Sequence, residues 1–414
     1  MTRALQLLVT AVVLLVLAHE ADGATLVVGR DGADLAATVA AAADGDEVEV
    51  PKGTWRGPIR IEHRITLRGT GGVIDGGGKG TVIVVAAPGA VVEGLTVRGS
   101  GTNLSGMQPD SCIWIEKAAA GAVVRNNNLP DCAFGIWVNE TPEAQLIGNR
   151  IYGRTEQRPT DRGNGIQLFN GSKLVIRGNM VTGARDGIYV SAVEDSLIED
   201  NQVRNQRYGV HYMYSYRNTL RNNLSEDNRS GFALMESQNL TVVGNIARHN
   251  DNHGILFRDA TGCVIRDNQL IENGEGLFFF SSANNEIQGN RIVGNKVGAK
   301  IWAGSQRNDI SGNAFIGNHR QVFYVGATDL VLGQGGPGNF WSDYVGWDQN
   351  GDGVGDRPYR MASFTSRLVY KYPAAALLTH SPAVELLSHL EERMPLLTAP
   401  TVVDRSPLTR DPTS

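Results

Sequence analysis

The chain has 414 residues and a formal net charge of -5, from 43 acidic and 38 basic side chains. That balance excludes the basic surface that holds nucleic acid, so no nucleic-acid partner is expected. The 50 glycines fit a chain of many tight turns, and the three cysteines show no Cys-x-x-Cys or zinc spacing.

In chain order, Arg3, an apolar run over 5–17 and small residues over 18–24 read as a secretory signal peptide, residues 1–23, cleaved after Ala18 or near Gly23. A retained membrane anchor is the alternative, for which the 13-residue apolar core is short. An alanine-rich helix from Asp34 to about Ala43 follows, then a strand over 48–50. A solenoid exposes a hydrophobic layer at each end, and this helix is assigned to cap the first. Coils at 59–67, 73–85 and 91–97 are less regular, as end repeats are.

The centre of the chain repeats. Gly135, Gly165, Gly187, Gly209, Gly231, Gly254, Gly276 and Gly298 each open an apolar run, at intervals of 30, 22, 22, 22, 23, 22 and 22 residues. Asn127, Asn149, Asn179, Asn201, Asn223, Asn245, Asn268, Asn290 and Asn313 keep step. A period of 22 excludes the longer helical repeats, and the leucine-rich consensus is absent. The runs GIYVS, GVHYM, GILFR and GLFFF alternate with period two, hence strands. The predicted fold is all-β: a right-handed parallel β-helix of roughly 11 or 12 coils over 24–345, with an N-terminal capping helix and a C-terminal segment, 346–414. The asparagines then stack in a column and bond to one another and to turn backbone, a structural role.

Two insertions, 99–111 and 150–164, fall between coils and project from one corner. The second carries Arg154, Arg158 and Arg162 and reads as solvated. Beside them, the second and fourth residues of each leading strand point outward. The second positions include Trp114, Trp137, Gln167, Tyr189, His211, Ala233, Leu256, Phe278 and Lys300; the fourth include Phe169, Met213, Met235, Arg258, Phe280 and Trp302. A solvated face would be polar, so this surface is read either as a partner-binding face or as one covered by the chain's own loops. His211, Met213 and Met235 come together on adjacent coils, and two thioethers with an imidazole suit transient Cu(I). Cys263 points inward as a buried free thiol, whereas the 20-residue separation of Cys112 and Cys132 leaves their pairing open.

An exported β-helix also suggests a polysaccharide lyase, hydrolase or epimerase, with His211, Asp251, His253 and Arg258 as the candidate residues. No paired carboxylates line the outward columns, so the chain is read as non-catalytic.

After the array, Asp348, Asn350, Asp352 and Asp356 reproduce the start of an EF-hand loop without the bidentate Glu, since Tyr359 stands at its twelfth position. They are candidates for structural calcium or for a metal-free Asx-turn network. Ser381 and Pro382 then open a short helix with Val384, Leu387, Leu390 and Met394 on one stripe.

The segment GNFWSDYVGWDQNGDGVGDRPYR, residues 338–360, resembles the closing signature of the NosD family of periplasmic β-helix proteins, and SPAVELLSHLEERMP with TVVDRSPL resembles that family's tail. With the export signal, the cap and the 22-residue coils, the resemblance spans essentially the whole chain. It implies a periplasmic maturation factor of nitrous oxide reductase. Its partners would be an ABC transporter membrane subunit and ATPase, a lipoprotein copper chaperone and the reductase whose copper-sulfide cluster is assembled.

Overall fold

The computed structural model describes residues 23–29, 34–302, 304–326, 330–334, 336–362, 372–378 and 400–413, with isolated positions between 381 and 390. The signal segment and most of the stripe assigned to the tail helix, Val384, Leu387 and Met394 included, lie outside the described residues.

From the N-terminal end, Leu35–Ala41 forms the capping helix, with the Asp34 side chain accepting the Ala37 N–H at 2.7 Å. Leu35 and Val39 are buried against the first coils. The chain then winds as a parallel β-solenoid of about 14 turns. The leading column has 12 strands, in line with the roughly 11 or 12 coils expected.

Three columns of strands run along the axis. The leading strands form a 12-stranded parallel sheet that starts at Ile59–Ile61 and ends at Arg320–Tyr324. The other two columns start in the first coils and finish at Asp309–Ser311 and Phe340–Trp341. Each strand pairs with its copy one coil later, so Tyr189 lies beside His211 and Met213 beside Met235. The alternating Ile, Val, Leu and Phe residues point inward and form one continuous core.

The turn between the second and third columns explains why each column asparagine follows Gly, Asp or Asn. That preceding residue is left-handed, with φ of 64° at Gly148, 56° at Asp200, 54° at Asn222 and 62° at Gly312. Only glycine and the short Asx residues adopt this conformation routinely. The asparagine itself is buried and knits three coils together. Asn201 Oδ1 accepts from both the backbone N–H and Nδ2 of Asn179, while its own Nδ2 donates to Ile176 O and Asn223 Oδ1. The same pattern repeats from Asn127 to Asn339.

The column ends on a carboxylate. Asp404 Oδ2 accepts from the Asn339 backbone N–H at 2.7 Å, Asn339 Nδ2 at 3.0 Å and Trp341 Nε1 at 3.1 Å. Periodicity assigned no strand to this segment, yet Pro400–Asp404 pairs in parallel with Leu330–Leu332 and antiparallel with Tyr359–Ala362. Trp341 is sandwiched between Phe315 at 4.5 Å and Tyr359 at 4.4 Å. The 338–341 stretch GNFW thus supplies the last rung, and the tail supplies its final acceptor.

Cys112 and Cys132 are joined by a disulfide, with Cα atoms 5.5 Å apart. Cys263 is a buried free thiol, pushed up to about 11 by burial.

Candidate partner face and cleft

The outward side of the leading strands is positioned by the coil register, and the two insertions build one wall beside it. Here the expectation of a solvated second insertion is corrected at Arg154. Its guanidinium is buried, donates to Ser100 O at 2.8 Å and Gly101 O at 3.0 Å, and pairs with Asp131. Insertion 150–164 is thereby fastened to insertion 99–111. Arg162 donates to Gln157 O, Thr155 O and Gly183 O, whereas Arg158 stays exposed beside Asp161.

Against this wall lies a cleft of about 820 Å³. Its floor runs over three coil steps from Trp137 through Gln167 and Tyr189 to His211, and Met107 and Phe169 are exposed at its edges. Trp114, one coil earlier in the same column, is buried and stacked on Trp137 at 5.1 Å. Phe134 meets Trp137 edge-on at 4.9 Å.

His211 is the most constrained group on the floor. Its Nδ1 lies 3.0 Å from Asp186 Oδ2, and Arg207 approaches the same carboxylate from Nε and Nη2 at 2.8 and 2.6 Å. Burial of Asp186 opposes its ionisation, but the hydrogen bonds from His211 and Arg207 outweigh this and hold it below the usual aspartate range. An ionised Asp186 keeps the proton on Nδ1 and leaves Nε2 as the free nitrogen. That atom is buried and, among the described residues, has no hydrogen-bond partner. The same holds for Trp137 Nε1.

Met213 and Met235 sit side by side as expected, but they also pack with Ala233, Leu256, Tyr208 and Phe278 in an apolar cluster on the outer surface. The outward residues therefore cover one another. At the far end another part of the chain joins in, where Trp302 packs with Phe323, Val325 and Ala375 of the 373–378 segment. Phe280 remains exposed.

A second polar chain follows two coils later. His253 Nδ1 lies 3.0 Å from Ser230 Oγ and Nε2 lies 3.0 Å from Glu275 Oε2, while Lys300 Nζ reaches Glu275 Oε1 at 2.6 Å. Burial works against ionisation of Glu275, and His253 and Lys300 overcome it. Ser230 is itself buried, so its hydroxyl is not presented to a substrate. Asp251 and Arg258 do not join this group; both are exposed, and Arg258 approaches Asp259.

Asp186, Ser230 and Glu275 escaped the column reading. Each precedes a leading glycine, and strict alternation would send its side chain inward. The ladder pairs Asp186 with Tyr208 and then Ile188 with Val210, passing over the glycine, where the bend turns the preceding side chain onto the outer face. The signal lay in the column Asp186, Tyr208, Ser230, His253, Glu275, which is mostly polar where an inward column would be apolar.

In the aspartate loop the carboxylates bind their own backbone. Asp348 accepts from Gly351, Asp352 and Gly353 N–H, Asn350 Oδ1 from Asp352, Asp352 from Val354, and Asp356 from Gln349. Among the described residues no three His, Cys, Asp or Glu side chains converge as a metal site. The bonds drawn are those of the Asx-turn network.

A family profile described as NosD, periplasmic copper-binding protein, matches residues 147–346. The chain is 39% identical over 386 residues to a Pseudomonas aeruginosa protein named "Probable ABC transporter binding protein NosD", covering 89% of this chain and 90% of that one. It is also 39% identical over 380 residues to a protein of the same name from Stutzerimonas stutzeri, covering 88% and 87%. Among solved structures, the Yersinia enterocolitica family 28 exopolygalacturonase superposes with a TM-score of 0.55 at 10% identity, over 76% of this chain and 79% of that one. The catalytic domain of a GH87 alpha-1,3-glucanase superposes with 0.54 at 12% identity, over 75% and 69%. These two likenesses establish the β-helix alone. Among the described residues no helix is long and apolar enough to cross a membrane. On the strength of its full-length relatives, the chain belongs to the NosD family, described as periplasmic and copper-binding.

Proposed function

We propose that this chain is exported to the periplasm by its signal peptide and acts there as a non-catalytic accessory protein in nitrous oxide reductase maturation. It docks on an ABC transporter's membrane subunit and ATPase complex, and carries Cu(I) as cargo between a lipoprotein copper chaperone and the reductase during copper-sulfide cluster assembly. The observation that carries the copper step is His211. A carboxylate fixes its Nδ1, its Nε2 is buried without a partner among the described residues, and the thioethers of Met213 and Met235 lie on the same strand and the next. An imidazole oriented through its other nitrogen is the usual form of a histidine ligand, and thioethers favour Cu(I). The disulfide is consistent with an oxidising compartment.

The spacing of the two histidine-bound carboxylates disfavours them as the pair of a sugar hydrolase. Asp186 and Glu275 stand four coil steps apart on the outer face, roughly 19 Å at the inter-strand spacing, whereas glycosidase pairs need about 5 to 10 Å. The maturation reading is tested in cells that lack the chain and receive either the natural protein or Met213→Leu/Met235→Leu. Leucine preserves the packing of the cluster and removes the sulfur. Copper in the purified reductase is expected to fall with the double variant to the level of cells lacking the chain. Full copper loading would contradict the role given to the methionines.

A further inference from the structure

We propose that the Trp137 end of the cleft captures an extended acidic segment of a partner protein, with Arg185 holding a carboxylate and Trp137 Nε1 donating to a backbone carbonyl. This extends the docking part of the function proposed above and is independent of copper.

Three observations carry it. Trp137 lines the cleft, and its Nε1 is a buried donor with no acceptor among the described residues. Leaving such a group unpaired is costly, so its partner is expected from outside the chain. Arg185 lines the same cleft, is exposed, and makes no ion pair or side-chain hydrogen bond to any described residue, unlike its neighbour Arg207, which Asp186 engages. The carboxylates at this end are already committed: Glu140 pairs with Lys117, and Asp186 is buried between Arg207 and His211. The open charge of the cleft is therefore positive and complementary to an acid.

Geometry favours a peptide over a sugar acid. In a column of stacked side chains the ring faces look along the axis at the next coil. Trp137 has Trp114 on one face and Phe134 at its edge, and Tyr189 meets His211 edge-on at 4.7 Å. The cleft is thus lined by ring edges, whereas a sugar would seek an open aromatic face. Trp137 and the coil that carries Arg185 are two steps apart, roughly 10 Å along the axis, and Arg185 stands four residues before Tyr189 of the Trp137 column, so about five residues of extended chain would join them. A partner seated there lies about one further coil from His211, within reach of the proposed cargo site.

The probes are a fluorescein-labelled pool of random hexapeptides with Asp fixed at the third position, the same pool with Asn, and a trigalacturonate oligosaccharide, each titrated against the full mature chain. The Asp pool is expected to bind about tenfold more tightly than the Asn pool, and Arg185→Ala to abolish that difference. Arg158→Ala, an exposed arginine outside the cleft, should leave it unchanged. Because Arg185 has no ion partner among the described residues, its removal is expected to leave the thermal melt and Cu(I) binding as they were. Equal binding of the two pools, or an Asp preference that survives Arg185→Ala, overturns the proposal. Arg185-dependent binding of trigalacturonate without any peptide preference overturns it in favour of a sugar acid. Failure of the natural chain to bind Cu(I) while it still prefers Asp would count against the copper reading and leave this one standing.

Discussion

Asp404→Ala is expected to lower the melting temperature by roughly 3 to 5 °C and to loosen the last coils first. Three buried donors, the Asn339 backbone N–H, Asn339 Nδ2 and Trp341 Nε1, converge on one oxygen of this fully buried carboxylate. Hydrogen bonds to charged acceptors contribute about 1.5 to 3 kcal/mol each and are not additive, so a loss of about 3 to 4 kcal/mol is expected. In a chain of this size each kcal/mol moves the midpoint by only about 1 °C. Since a solenoid is stabilised coil by coil, protection of amide hydrogens should fall around Asp309–Ser311 and Arg320–Tyr324 while the central coils keep theirs. Asp404→Asn retains one carbonyl acceptor and should have a smaller effect. A natural melt for Asp404→Ala would remove the tail from the role of final acceptor.

Gly231→Val is expected to be more severe, with loss of most folded protein. The reason is space and not backbone conformation. A Cβ at Gly231 would stand 2.5 Å from the carbonyl oxygen of Gly254 and 3.1 Å from Ala247 Cβ. The oxygen belongs to the next coil, so relief requires opening the stack. The same contact recurs at Gly135 with Gly165 O at 2.4 Å and at Gly276 with Gly298 O at 2.6 Å. Ala233 is not a neutral comparison, because it is fully buried in the outer cluster with Met235 and Leu256. Thr241, exposed on a strand of the second column, is the better control, and Thr241→Val should leave expression and melting close to the natural chain. Equal yields from the two variants would separate the leading glycines from the stacking of coils.

How far the sequence could be read follows from what repeats. A 22-residue period sets the register, so Tyr189 beside His211 and Met213 beside Met235 follow from counting alone, as do the inward columns and the asparagine ladder. Groups that act once have no repeat to announce them. Asp404 lies 65 residues beyond its partner Asn339 in a segment without periodicity. Arg154 looks like a surface residue because its acceptors, Ser100 O and Gly101 O, sit in another insertion. Asp186 was hidden for a different reason: the glycine after it bends the chain, and alternation counted through that bend assigns the wrong side. The pairing of Cys112 with Cys132 depended on the spatial path of the first insertion, which sequence separation does not convey.

Titration of Cu(I) into the metal-free mature chain, in competition with a chromophoric Cu(I) chelator, tests most directly whether the outer face is where the protein works. The natural chain should hold one Cu(I), and both His211→Ala and Met213→Leu/Met235→Leu should release it to the chelator, with the melt of the double variant unchanged. Retention of the full equivalent by both variants, or failure of the natural chain to compete at all, would contradict the account.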